Sequence, residues 1–456
     1  MAILFYLLVC AYYGRKNPLL YLLFPLALQQ GPAAFIDQTI SVAGKNLFSP
    51  NDMIFNDFLF FMLCCIAVVL IRVRVPSLRG LGPKLILGYL VYILLIFLAD
   101  YLGSGDKAVV IFTAREFIYI SLNYFLWQSV FSAVERRHYE SFLRLLFYIT
   151  PVSGVLYILN SGNIVSIFPK ELIYAEVDLS VGTTIRDFAT IPLFLSAVVV
   201  LAVQSMIMPN LRMPKLIILG NLVILPIALL FTFTRSIIIS VVMQIVFILV
   251  LQSLKKGAES IRTAMVFLTL FGISLGPAYL IAENVFPNQT EYFVGRFIDV
   301  SKEGKDEENV NIRLAYFNKA VEITNYTSPA FGAGMNRKYY QQMNDIGAWK
   351  ADSTVPFLLY HTGWVGVILM YGILLWFSAQ SVMLYLRTGD WLVSFLASGF
   401  ITLTISSLMT GGSSLYGSLW TFMNFGIFIV IKYGLWKKQL FRIYPQPPNT
   451  VLNYST

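Results

Sequence analysis

Charged side chains are scarce in this chain. Asp, Glu, Lys and Arg make up only 12% of its 456 residues, whereas soluble proteins carry about 25%. Hydrophobic residues make up 57%, and they repeatedly form runs that reach the roughly 20 residues a bilayer-crossing helix needs. A transmembrane barrel would show short alternating segments instead. The composition therefore excludes a soluble globular domain and predicts an all-α polytopic membrane protein.

Cysteine and nucleotide-binding motifs are also lacking. The three cysteines, Cys10, Cys64 and Cys65, lie inside apolar runs and predict neither a disulfide framework nor a metal site. The sequence contains no Walker motif, no nucleotide-binding glycine loop and no cluster of His and Cys. Its net charge of +9 comes from short loops between apolar runs, which does not indicate nucleic acid. We therefore expect no cofactor, no metal and no nucleic-acid partner.

The apolar runs predict about 12–13 transmembrane helices and no internal repeat. They lie near residues 2–13, 18–36, 56–71, 85–99, 108–132, 145–161, 188–207, 216–233, 236–253, 263–282, 355–383, 391–409 and 414–431. This organisation gives ten helices in 1–282, a large polar loop in 283–354, three helices in 355–432 and a tail in 433–456. No cleavable signal is expected, because the first run begins at Ala2 with no basic region before it.

Lys and Arg are distributed unequally between the two sets of short loops. The set that includes the C-terminal tail holds 19 of them, and the opposite set holds 5. Short basic loops stay on the cytoplasmic side of a membrane. The asymmetry predicts a cytoplasmic C-terminus and places the polar loop 283–354 outside the cell membrane. A chemical step in that loop must use an already activated substrate, because no ATPase motif is present.

The polar loop contains one predicted amphipathic helix, from Asn311 to Asn325. Four apolar residues at spacings of four, four and three share one of its faces: Ile312, Tyr316, Ala320 and Ile323. Asn311 is the expected N-cap, and the run 327–329 with its proline is the expected end of the helix.

Three arginines stand out because the outer segments are otherwise poor in positive charge. Arg186 precedes the span near residue 188, Arg235 lies between two spans with almost no loop, and Arg313 opens the loop helix. A guanidinium binds phosphate through two hydrogen bonds and stays charged at any relevant pH. They are therefore candidates for binding a lipid diphosphate. The alternative is that each reaches lipid headgroups or pairs with a carboxylate.

Two other groups of residues are open to two interpretations each. Arg115 and Glu116 lie inside an apolar run, where a structural ion pair and a substrate role are equally open. Three loop aromatics are candidates for stacking on sugar rings, although aromatics are also enriched at membrane interfaces. These are Tyr339, Tyr340 and Trp349. We interpret His361 as a histidine packed within its helix.

Taken together, the order of motifs makes the chain similar to the O-antigen polymerase and ligase superfamily of bacterial membrane glycosyltransferases. The similarity covers roughly residues 180–380 and includes a dozen or so spans with one large late loop. The motifs that carry it are Arg186-Asp-Phe-Ala-Thr-Ile-Pro192, Thr234-Arg235-Ser236, Arg313, Pro329-Ala-Phe-Gly-Ala-Gly334, and Asp352-Ser353 followed by Gly363-Trp-Val-Gly366.

The resemblance implies a GT-C-like, metal-independent inverting glycosyltransferase in the bacterial inner membrane, with its large loop in the periplasm. Its donor and acceptor would be undecaprenyl-diphosphate-linked glycans, and its partners would include the lipid bilayer, a chain-length regulator and a flippase. Arg235 and Arg313 would bind the diphosphate. Lipid A-core ligases of the family have a His-Asn pair where this chain has Asp352-Ser353.

That difference favours a Wzy-type polymerase, which joins repeat units into O-antigen, capsule or exopolysaccharide. The alternative is an O-antigen ligase that transfers glycan to lipid A-core. A polysaccharide flippase or other transporter would place its charges near the bilayer midplane, whereas here the polar residues are concentrated in one external loop. Asp352 either caps the helix that follows it or accepts the proton of the acceptor hydroxyl as a catalytic base.

Overall fold

The computed structural model describes most of the chain between residues 78 and 409. The described residues are 78, 80–103, 107–130, 136–161, 174–179, 182–187, 190–207, 213–230, 235–257, 308–336, 338–345, 354–409 and scattered positions between 269 and 294. The spans predicted near 2–13, 18–36, 56–71 and 414–431 lie outside them.

Ten helices and one two-stranded hairpin make up this part of the molecule. They are α1 (Leu81–Gly103), α2 (Lys107–Val130), α3 (Arg136–Ser161), β1 (Tyr174–Leu179), β2 (Gly182–Asp187), α4 (Thr190–Ile207), α5 (Lys215–Leu230), α6 (Arg235–Lys256), α7 (Glu308–Thr327), α8 (Tyr340–Asn344), α9 (Thr354–Thr388) and α10 (Trp391–Met409). Five of the helices are long and apolar enough to cross a membrane, and α4 and α5 contain shorter apolar segments. The predicted all-α polytopic architecture is confirmed.

The hairpin of β1 and β2 was not predicted from the sequence. Strands β1 and β2 pair antiparallel, with Tyr174 opposite Asp187 and Ala175 opposite Arg186. The segment before α4 was expected to be a plain loop leading into a span near residue 188. Instead Arg186 lies on a strand, and α4 begins at Thr190 with Pro192 in its first turn, where a proline is tolerated.

Contacts between helix ends agree with the predicted alternation of loops. Lys255, at the end of α6, donates to the carbonyl oxygen of Leu386 near the end of α9 at 2.9 Å. Gln204, near the end of α4, donates to the carbonyl oxygen of Trp391 at the start of α10 at 2.5 Å. The sequence assigned all four of these ends to one side of the membrane. The structure therefore brings together helix ends that the charge pattern grouped.

Buried polar side chains join helices inside the bundle. Asn221 of α5 donates to the carbonyl oxygen of Phe147 in α3 at 2.9 Å. Thr150 of α3 donates to the Asn221 side-chain oxygen at 2.7 Å. In a hydrocarbon environment no water is available to these groups, so each needs a protein partner. The α3–α5 pair is thus fixed in register by one amide.

Candidate functional site

Helix α9 is interrupted at Gly363, the tenth residue of the helix, within the segment 355–383 that we predicted to be one continuous span. Gly363 has φ 61° and ψ −171°, a backbone conformation that is essentially restricted to glycine. The interruption removes intrahelical partners from the backbone groups around it. Within a membrane-spanning segment, irregular backbone is tolerated only where other parts of the protein satisfy those groups. The backbone groups around Gly363 therefore need hydrogen-bonding partners from another segment of the chain.

Residues 328–336 of the polar loop fill this position, and we call them the docked turn. The Ala333 N–H donates to the carbonyl oxygen of Tyr360 at 2.6 Å, and the Trp364 N–H donates to that of Pro329 at 2.9 Å. Gly332 has φ 71°, and a Cβ on it would lie 2.6 Å from the Gly363 nitrogen. Two glycines thus face each other across the contact, which leaves no room for a side chain on either.

Helix α1 supports the docked turn from a second direction. The Tyr92 hydroxyl lies 2.7 Å from the carbonyl oxygen of Ala330 and 2.6 Å from that of Thr362, so it bridges the turn and the interrupted helix. The Asp100 carboxylate accepts the Met335 N–H and, at 3.3 Å, a side-chain N–H of Asn336. The docked turn is therefore held by polar bonds to two helices that are far apart in sequence.

Helix α7 packs against α9 beside the docked turn. Tyr316, Ala320 and Ile323 are buried, which confirms three of the four residues on its predicted apolar face; Ile312 is half-buried. Thr324 donates to the carbonyl oxygen of Leu359 at 3.1 Å, another backbone group near the interruption. The helix ends at Thr327 as predicted, but it begins at Glu308. The predicted N-cap at Asn311 is wrong, because that residue lies inside the helix.

His361 links the docked turn to helix α8. Its side chain is completely buried, with Nδ1 2.6 Å from the Gly334 carbonyl oxygen and Nε2 2.8 Å from the Tyr340 hydroxyl. The rings of Tyr360, Phe357, Tyr340 and Phe117 surround the imidazole, with centroids 4.7–5.6 Å away. The interpretation of His361 as a packed histidine is confirmed, and both ring nitrogens also have hydrogen-bonding partners.

Three of the predicted site residues have described side chains. Arg313 is exposed on α7. It lies one helical turn before Phe317, whose ring centroid is 6.5 Å from that of Trp364. Tyr339 and Tyr340 are half-buried at the start of α8, and the Tyr339 N–H donates to the Tyr360 hydroxyl at 3.2 Å. Tyr339 and Tyr340 therefore contact α9 just before its interruption, and Arg313 lies one turn from Phe317.

The remaining predicted residues are described only by backbone position or not at all. Arg115 and Glu116 lie within α2, Arg186 in β2 and Arg235 at the first position of α6; their side chains are outside the described structure. Trp349 and Asp352 also lie outside the described residues. The roles assigned to these six stay predictions.

Sequence reasoning missed two residues that build the site, Tyr92 and Asp100. Both lie on the face of α1 that also carries buried Ile93 and Ile96. A signal was present, because an acidic residue ended the apolar run one turn after Ile96. The predicted span stopped at residue 99, so Asp100 was assigned to a loop rather than to the end of a helix.

The segment that builds this site matches a known protein family. Residues 220–378 match the family model described as O-antigen ligase. The matched segment contains Arg235, Arg313, the docked turn and Asp352, whereas Arg186 lies outside it. No curated protein and no solved structure matches the chain. The match over residues 220–378 supports placing this membrane protein with the O-antigen polymerase and ligase superfamily.

Proposed function

We propose that the protein polymerises lipid-diphosphate-linked oligosaccharide repeat units on the periplasmic face of the bacterial inner membrane. The growing glycan on undecaprenyl diphosphate is the donor, and the incoming lipid-linked repeat unit is the acceptor. The product is O-antigen, capsule or exopolysaccharide. A flippase would deliver the repeat units, and a chain-length regulator would limit the polymer.

The observation that carries this proposal is the docked turn. It fixes a polar loop rich in aromatic residues against an interrupted span, with Arg313 exposed nearby and Tyr339 and Tyr340 half-buried beside it. A guanidinium and partly exposed phenol rings suit a substrate that carries both phosphate and sugar. The lipid part of such a substrate remains in the bilayer, which the neighbouring spans contact.

The arginines have an electrostatic role in this proposal. When the anomeric C–O bond breaks, negative charge develops on the departing diphosphate, and Arg235 and Arg313 neutralise it. Fixed charges aimed at developing charge often supply the largest catalytic effect. The acceptor hydroxyl attacks the face opposite the leaving group in a single displacement, so the anomeric configuration inverts. In this mechanism, the arginines supply the positive charge that a metal ion would otherwise provide.

An O-antigen ligase is the second candidate, because the matching family is described as O-antigen ligase. The two functions share a donor and differ in the acceptor. The pair Asp352-Ser353 favours the polymerase, since lipid A-core ligases have a His-Asn pair at the corresponding position. A transporter is disfavoured, because the polar groups described around the docked turn gather at one end of the bundle.

Purified full-length protein with a native lipid-linked repeat unit tests the proposal. The polymerase is expected to give a ladder of products separated by one repeat unit on a gel. Addition of lipid A-core as a second acceptor provides the comparison. A single transfer product on lipid A-core without a ladder would show a ligase, and no product from a verified native substrate would contradict both enzymatic assignments.

A further inference from the structure

We propose that Tyr340 takes the proton from the acceptor hydroxyl and passes its own proton to His361. This inference rests on the proposed glycosyl transfer and adds a proton acceptor for it. Asp352 is the candidate base predicted from the sequence, and a carboxylate of ordinary pKa, about 4, is a weak base for a sugar hydroxyl. The Tyr340–His361 pair offers a different route, built from described contacts.

The hydrogen bonds around His361 determine which ring nitrogen carries the proton. A backbone carbonyl oxygen can only accept, so the 2.6 Å contact with Gly334 requires a hydrogen on Nδ1. In the neutral ring, Nε2 is then an acceptor. The Tyr340 hydroxyl, 2.8 Å away, donates to it. The docked turn therefore leaves the basic nitrogen of His361 facing Tyr340.

Tyr340 connects that buried nitrogen to the surface of the site. His361 is completely buried, so it cannot touch a sugar directly. Tyr340 is half-buried, and a phenol oxygen that donates one hydrogen bond keeps acceptor capacity on its lone pairs. An acceptor hydroxyl that donates to this oxygen is separated from Nε2 only by the Tyr340 hydroxyl, so two linked proton transfers connect them. Geometry of this kind is what general base catalysis requires.

The step balances without a further reactant. The acceptor oxygen forms a bond to the anomeric carbon while the bond from that carbon to the diphosphate oxygen breaks, and its electron pair leaves with the diphosphate. The acceptor proton moves to the Tyr340 oxygen, and the Tyr340 proton moves to Nε2. His361 becomes an imidazolium whose two N–H groups donate to Gly334 and Tyr340. The proton later returns through Tyr340 to the departing diphosphate.

Steady-state kinetics of three variants separate this route from the Asp352 route. Tyr340→Phe keeps the ring and removes the hydroxyl. His361→Asn keeps an N–H donor near the Nδ1 position for Gly334 and removes the basic nitrogen. We expect each to lower kcat by roughly 10²- to 10⁴-fold with little change in KM, while Asp352→Asn stays near the wild-type kcat. Tyr148→Phe, at a half-exposed position on α3, is the control for loss of a phenol.

A Tyr340→Phe enzyme with wild-type kcat would overturn the proposal. So would a change confined to KM, which would mean that Tyr340 only binds sugar, or a loss confined to Asp352→Asn. If His361→Asn fails to fold, Tyr340→Phe decides the question alone. Wild-type protein that transfers glycan to lipid A-core without forming a ladder refutes the polymerase, and the same variants then test this inference in that transfer reaction. Inactive wild-type protein refutes the proposed function and this inference with it.

Discussion

Replacing Gly363 with Ala should release the docked turn. An alanine at φ 61° and ψ −171° is strained by about 1–3 kcal/mol. Its Cβ would also lie 2.7 Å from the Gly332 nitrogen and closer still to the Ala330 carbonyl, so the turn must move away. That movement weakens the Ala333–Tyr360 and Trp364–Pro329 hydrogen bonds, at about 1 kcal/mol each.

These terms destabilise the docked state by about 3–5 kcal/mol. Since each 1.4 kcal/mol is about a factor of ten, undocking should become roughly 10²- to 10⁴-fold more frequent. A reporter cysteine at Ala333, where the native side chain is 8% exposed, measures it. The three native cysteines are first changed to alanine. The rate of alkylation by iodoacetamide then follows the fraction of undocked molecules.

Gly372→Ala is the matched control for this experiment. It lies nine residues later in the same helix, and a Cβ added there has no neighbour within 4 Å. Ala is favoured over Gly in a helix by about 0.5–1 kcal/mol, so this variant should alkylate no faster than the parent. Equal alkylation rates for Gly363→Ala and Gly372→Ala would refute the proposed dependence of the docked turn on the interrupted helix.

Three further predictions follow from the charges. Arg235→Lys and Arg313→Lys should each abolish most polymer while the protein still inserts, because lysine keeps the charge but loses the two-pronged geometry. Asp100→Asn should accelerate alkylation at the docked turn about 10- to 100-fold, since a hydrogen bond to a charged group contributes about 1.5–3 kcal/mol. A cysteine at Ser301 should react with an impermeant maleimide in intact spheroplasts, whereas one at Ser455 should not.

Each of these has an outcome that would contradict it. Arg387→Lys, at an exposed position at the other end of α9, is the control for arginine replacement. Near-normal polymer from both outer arginine variants would make them interfacial anchors. An unchanged alkylation rate in Asp100→Asn would remove α1 from the support of the turn. Labelling at Ser455 but not at Ser301 would reverse the orientation of the whole protein.

Local patterns in the sequence predicted the elements well. The run read as 85–99 is Leu81–Gly103, and the spans on either side of Arg235 are Lys215–Leu230 and Arg235–Lys256. Apolar runs are predictive here because the backbone groups of a regular membrane helix are satisfied within its own segment. Helix α7 of the polar loop was predicted for a related reason, because its apolar residues are spaced so that they pack on one face.

Local patterns in the sequence could not predict contacts between segments that are distant in the chain. Asp100 and Met335 are 235 residues apart, and no local periodicity links them. Gly363 was read as part of a family motif rather than as an interruption, because the apolar run continues through it. The hairpin was missed because its strands lie between spans, where short polar segments were read as loops.

Photo-cross-linking tests the central claim, that the docked turn and α7 form the donor site. An undecaprenyl diphosphate analogue with a diazirine next to the diphosphate is bound to the full-length protein, irradiated, and its attachment sites are mapped by mass spectrometry. The account predicts labelling within Glu308–Thr327 and Phe331–Tyr340, reduced in Arg313→Lys. Labelling confined to the opposite end of the bundle, around Arg387–Trp391, would contradict it.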